Sequence, residues 1–157
     1  MPLKDRLDSI DWKILGELQC NGRMTNVELA KRVGISAPPC LRRVRTLEEN
    51  GVIEGYRTLL NANALGYQLI AFAYVGLSSQ GEAELQAFQK SVKSWDIVRE
   101  CYLLSGDVDF ILKCVAKDLQ SFQSFIVNEL TAADHVESIR TSLTISKVKD
   151  EPRVPIE

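Results

Sequence analysis

Apolar positions recur at helical spacing three times in the first third of the chain. Leu7, Ile10, Ile14 and Leu18 share one face of a helix predicted over residues 9–21, and Asn21-Gly22 stops it. Thr25-Asn-Val-Glu28 has the spacing of a capping box, in which the hydroxyl accepts from the third N–H and the glutamate reaches back. A second helix therefore opens at Thr25, turns Leu29, Ala30 and Val33 inward and closes at Gly34. A third begins after Ser36, a favourable N-cap, and ends at Asn50-Gly51. Ile35 alone separates the Gly34 stop from the Ser36 start, so the two helices must cross sharply, as in a helix-turn-helix. Beyond Gly51 the pattern over residues 52–60 becomes strand-like, with Gly55 placed to turn a small hairpin, which predicts a winged arrangement. Residues 61–66 read as a linker.

From Gln68 the periodicity changes again. Residues 69–77 read as a strand, 82–94 as a helix, 97–104 and 110–116 as strands around the turn 105–109, 119–130 as a helix and 136–148 as a last strand. This βαββαβ order predicts a ferredoxin-like domain with both helices on one sheet face. The other face needs a cover, and a twin subunit is the simplest one. The expected fold is thus α+β, with a winged helix-turn-helix over 1–60, a linker over 61–66 and a ferredoxin-like effector-sensing and oligomerisation domain over 67–157.

Charge sharpens the division. Residues 1–60 carry ten Lys/Arg against eight Asp/Glu, and residues 61–157 carry nine against thirteen. A basic first domain beside an acidic second one suits a nucleic-acid reader and its partner domain. On the third helix Cys40, Val44 and Leu47 face inward, while Pro38, Arg42, Arg45 and Thr46 lie opposite and Pro39 and Arg43 flank them. A plain amphipathic helix with a solvated face has the same pattern. Behind a tight turn and a capped second helix, the cationic face suits double-stranded DNA: Arg42, Arg43 and Arg45 for phosphates and base edges, Pro38 and Pro39 for a thymine methyl, and Ser36, Thr25, Asn26 and Thr46 beside them. Arg57 on the wing can meet a phosphate.

Other chemistries find little support. Cys20, Cys40, Cys101 and Cys114 form no CxxC pair and read as buried small hydrophobes, without disulfide or zinc. His135 reads as a loop residue rather than a general base. No phosphate loop, nucleophile motif or metal-ligand cluster is present, so neither an enzyme nor a cofactor is expected. The opening MPLKDRLD has no apolar run, and residues 69–77 fall far short of the roughly 20 residues that span a bilayer. A cytoplasmic protein without membrane contact is expected.

Three stretches carry a resemblance. Asn26-Val-Glu-Leu-Ala-Lys-Arg-Val-Gly-Ile-Ser36, Pro39-Cys-Leu-Arg-Arg-Val-Arg-Thr-Leu-Glu48 and Gly51-Val-Ile-Glu-Gly-Tyr56 resemble the leucine-responsive (Lrp/AsnC, feast/famine) regulators, and the similarity continues over nearly the whole chain. Ser105-Gly106-Asp107-Val108-Asp109-Phe110 is similar to that family's Gly-Asp-x-Asp-aromatic signature. The resemblance implies a transcription regulator that dimerises through its second domain, assembles further into tetramers or octamers, and senses an amino acid near this hairpin where protomers meet. Carboxylates beside turn N–H groups suit an amino acid's two charges, and Ser142 and Thr144 on one face of the last strand add hydroxyls. Aspartate beside glycine is equally a tight-turn signature, and two carboxylates can begin a divalent-metal site. An architectural DNA-binding protein without an effector would share every N-terminal feature.

Overall fold

A computed structural model of the chain describes residues 6–151 and 153–156. The first five residues, on which the expectation of no leader partly rests, lie outside the described residues. Two compact units are present: residues 1–59 with 150–157, and residues 60–149.

In the first unit, α1 (Ser9–Cys20), α2 (Asn26–Val33) and α3 (Ala37–Glu49) surround a core of Ile14, Leu15, Leu29, Ala30, Val33, Cys40 and Leu47. Asp8 caps α1 through a box with Asp11, and Thr25 caps α2 through the expected box with Glu28. Gly34 closes α2 at φ +80°, a left-handed backbone that costs glycine nothing. Ser36 occupies the N-cap of α3 but makes no capping bond. The reason is chemical: an N-cap oxygen accepts from the second or third helical N–H, and here Pro38 and Pro39 have none.

The expected hairpin over residues 52–60 does not form within the chain. Leu47 O accepts from both Val52 N and Ile53 N at 2.9 and 3.1 Å, so the first residues of the stretch close α3. The rest runs exposed, and Leu59 and Leu60 have no cover. The last residues, expected with the second domain, instead pack with the first, where Ile156 joins the helical core.

The second unit is an antiparallel sheet in the order β2-β3-β1-β4, from β1 (Leu69–Leu77), β2 (Val98–Leu103), β3 (Phe110–Ala116) and β4 (Val136–Leu143). Helices α4 (Glu82–Ser94) and α5 (Leu119–Phe125) pack Phe88, Phe122 and Phe125 against Ala71, Ala73, Val75, Phe110, Leu112 and Cys114. Helix α5 continues as a π-type turn, Ile126–Leu130, rather than as regular α-helix. Strict alternation in β1 and β3 buries one face and leaves Phe72, Tyr74, Ile111 and Val115 half-buried on the other. Strand β4 stops five residues before its expected end. Thr144 N donates to Ile70 O at 2.9 Å, the strand's last bond to β1, and Ile145 and Val148 beyond it stand fully exposed. The expected linker is an ordered 3-10 turn, Asn63–Leu65, with Asn61 Oδ1 accepting from Ala64 N. Of the cysteines, Cys40 and Cys114 are buried as expected, but Cys20 is exposed and Cys101 only partly covered.

Candidate nucleic-acid interface and effector region

Helix α3 turns Cys40 and Leu47 into the core and leaves Pro38, Leu41, Arg42, Arg45 and Thr46 at the surface. Arg42 and Arg45 pair with no carboxylate among the described residues, so both guanidiniums remain available to an anion. The Ser36 hydroxyl, excused from capping, is exposed at the same end of the helix. The Thr46 hydroxyl is occupied within the helix, donating to Arg42 O at 3.0 Å.

Arg43 stands apart. Its Nη1 lies 2.7 Å from Asp8 Oδ2 and 2.8 Å from Asp11 Oδ1, which ties α3 to the capped start of α1. The Asp11 bond, then the Asp8 bond, pushes the guanidinium's pKa upward. Asp8 is held below its usual range, chiefly by the Asp11 backbone N–H and further by Arg43. Arg43 is therefore engaged inside the protein, unlike Arg42 and Arg45.

Asn26 and Thr25 are also occupied. Asn26 Nδ2 donates to Ala37 O at 2.8 Å, which joins the first residues of α2 and α3 and fixes the angle of the turn. Its Oδ1 is buried with no partner among the described residues. The Thr25 hydroxyl accepts from Glu28 N, and the Thr25 backbone N–H, followed by its hydroxyl, donates to Glu28 Oε2 and holds that carboxyl low. Sequence reasoning missed a neighbouring hollow of about 280 Å³ that brings Arg6 beside Arg42, with Thr46 and Asn50 on its wall. Arg6 precedes the first predicted helix, so no periodicity marked it.

In the second unit, Ser105, Gly106 and Asp107 are exposed at the β2–β3 turn. Asp109 is not: it is 8% exposed, and its Oδ2 accepts from Leu77 N at 2.6 Å. The register of β1 against β4 slips between Gly76 and Leu77, and that bulge frees the Leu77 N–H from the ladder. Asp109 N donates to Val75 O and Leu104 N donates to Asp109 O, so one residue stitches three strand ends together. Gly76 lies at the same place because a Cβ there would come within 2.6 Å of Ser138 Oγ. Asp109 is thus engaged within the turn, whereas Asp107 is exposed.

The two halves of the expected effector site are not brought together within one chain. Ser142 pairs with Phe72, and Thr144 bonds to Ile70, toward the far end of β1 from Leu77. Five residues of strand from Phe72 to Leu77 amount to roughly 17 Å. Thr144 Oγ1 is buried and has no partner among the described residues. Among those residues no three His, Cys, Asp or Glu side chains converge as a metal site would require, and no helix is long and apolar enough to cross a membrane.

Known proteins share this organisation. Residues 7–54 match a winged helix-turn-helix DNA-binding family, and residues 70–154 match the Lrp/AsnC ligand binding domain. A leucine-responsive regulatory protein of Rhizobium meliloti is 60% identical over 156 residues, covering 99% of this chain and all of that one. The protein of the same name from Escherichia coli K12 is 40% identical over 155 residues, covering 99% of this chain and 94% of the relative. Among solved structures, a transcriptional regulator from Neisseria meningitidis in complex with L-Met superposes with a TM-score of 0.91 at 35% identity, over 95% of this chain and 96% of that one. Escherichia coli AsnC superposes at 0.85 with 26% identity, over 96% and 99% of the two chains.

Proposed function

The chain belongs to the Lrp/AsnC family of transcription regulators, and from that premise we propose which residues read DNA and where the effector acts. The protein is a DNA-binding regulator with a ligand-binding domain and is not an enzyme. The reading helix is α3. Arg42 and Arg45 contact base edges and phosphates, with Pro38, Pro39, Ser36 and Arg6 beside them. Of the other sequence candidates, Thr25, Asn26 and Arg43 hold the helices in place for that contact, and Thr46 uses its hydroxyl within α3. The observation that carries this division is electrostatic: Arg43 is neutralised by Asp8 and Asp11, whereas Arg42 and Arg45 are left open.

The half-buried apolar sheet face with Phe72, Tyr74, Ile111 and Val115 is the dimer surface. Dimers assemble further into tetramers or octamers, and the regulator works in the cytoplasm on palindromic sites with half-sites about one helical turn or a multiple of it apart. The effector is an amino acid. Asp107 and the turn N–H groups of one protomer meet its charges, and Ser142 and Thr144 belong to a different protomer at the same junction, because one chain holds them too far apart. L-Met in the Neisseria complex supports this chemical class. The test is operator selection followed by titration with and without L-leucine and L-methionine. Arg42→Ala and Arg45→Ala should each weaken the selected site by about 1–3 kcal/mol. Affinity unchanged in both variants removes α3 as the reader, and DNA binding indifferent to every amino acid favours an architectural protein.

A further inference from the structure

Arg42 belongs to two surfaces. With Pro38 and Arg45 it stands on the exposed side of α3, and it also lines the hollow of about 280 Å³ beside the start of α1. Arg6, Asp11, Arg43 and Asn50 share that wall, whereas Arg45 does not line it. Arg43 is answered by Asp8 and Asp11 at 2.7 and 2.8 Å. Arg6 and Arg42 meet no carboxylate among the described residues. Three guanidiniums against two carboxylates leave a single positive charge on this patch. The Thr46 hydroxyl already donates to Arg42 O, which leaves the Asn50 side-chain amide as the neutral donor on the wall.

Two open guanidiniums and an amide around a small hollow suit an anion with several acceptor oxygens. Pockets for whole small molecules usually measure about 300–1,000 Å³, so this one is sized for a single group of something larger. One net positive charge matches one phosphodiester, which carries one negative charge, better than a phosphate dianion. Because Arg42 also stands on the exposed side of α3, the group that enters the hollow belongs to the strand that α3 contacts. We infer that the hollow seats one DNA backbone phosphate, shared by Arg6 and Arg42, and that this anchor sets the register in which Arg45 meets base edges. The inference rests on the function proposed above and divides its two open arginines, since phosphate contacts position and base contacts specify.

The test uses the full protein on its selected operator and on unrelated DNA, with Arg6→Gln, Arg42→Gln, their double variant and Arg45→Gln. All four replace exposed side chains and should melt like the wild type. A shared phosphate makes Arg6 and Arg42 one contact. The double variant should therefore lower the slope of log affinity against log salt by about 0.9 per half-site, and either single variant by no more than that. These three should weaken operator and unrelated DNA alike, keeping the ratio of affinities within about twofold, whereas Arg45→Gln should lower the ratio by about tenfold or more. A slope loss near about 1.8 per half-site means two separate phosphates and overturns the inference. So does a ratio that falls in the Arg6 or Arg42 variants. Methylphosphonate linkages, placed one at a time through a half-site, locate the phosphate. At one linkage the substitution should weaken the wild type by about fivefold or more and the double variant by less than about twofold. The absence of any such linkage overturns the phosphate seat, even where Arg45→Gln confirms α3 as the reader. Unchanged binding in all four variants overturns the reader together with the seat.

Discussion

Replacing Asp109 separates two roles that its sequence motif leaves confounded. The carboxylate accepts the bulge N–H of Leu77 at 2.6 Å and is almost fully buried. Asp109→Ala removes the acceptor and leaves that N–H without a partner. A hydrogen bond to a charged group contributes about 1.5–3 kcal/mol. For a unit spanning residues 60–149, each kcal/mol is about 4–8 °C in Tm, so the melting temperature should fall by roughly 6–24 °C. Asp109→Asn keeps an acceptor of the same shape but loses the charge, and should cost about 0.5–1.5 kcal/mol. Thermal unfolding of both variants, beside calorimetry with L-leucine and L-methionine well below the transition, gives the answer. Ligand affinity should fall in proportion to the loosening of the turn, most in Asp109→Ala and least in Asp109→Asn. An Asp109→Asn protein that melts like the wild type yet binds no amino acid would refute the reasoning, because the charge would then belong to the ligand.

Three further outcomes follow from the first unit. Ser36→Ala should change stability by less than about 0.5 kcal/mol, because Pro38 and Pro39 deny the hydroxyl a capping donor, whereas Thr25→Ala should cost about 1 kcal/mol in urea unfolding. Arg43→Ala should lower the unfolding midpoint of the helical unit and reduce DNA affinity only through that loss. Arg42→Ala should do the reverse, and equal melting curves for the two variants would contradict the division. Asp8 has a depressed folded pKa, so its contribution is complete above its unfolded value near 3.8 and is lost as pH falls through the lower folded value. Asp8→Asn should flatten the acid limb of stability below about pH 4, and an unaltered limb would show that Asp8 adds nothing there.

The fold was legible wherever a local rule decided it. Capping boxes, apolar periods and the Gly34-Ile35-Ser36 junction placed the helices to within a residue or two, and period-two alternation placed β1 and β3. Failures occurred where the outcome depends on a partner far along the chain. Residues 52–60 have strand-like composition, but the end of α3 claims their first N–H groups. Residues 144–148 alternate like a strand, yet β1 begins at Leu69, so after the Thr144 bond to Ile70 it offers residues 146–148 nothing to pair with. For the site, residue type was informative and role was not. Arg42, Arg43 and Arg45 look alike in sequence; Asp8 and Asp11, a helix away, set one of them aside. Asp107 and Asp109 share a motif, and a bulge across the sheet turns the second one inward. A sequence period says nothing about which charges meet.

The packing of Val154 and Ile156 with the first unit also sets an order of events during synthesis. Val154 and Ile156 line one groove together with Trp12, Leu18 and Ile53, with residues 60–149 translated in between. At about 5–20 residues per second, that interval is roughly 5–20 s. Through it the helices can form while Trp12, Leu18 and Ile53 remain open to water or to a chaperone. Residues 60–149 are all translated before Val154 and Ile156 can pack with the helices, so the DNA-reading unit gains these contacts only after the whole ligand-binding sheet has emerged.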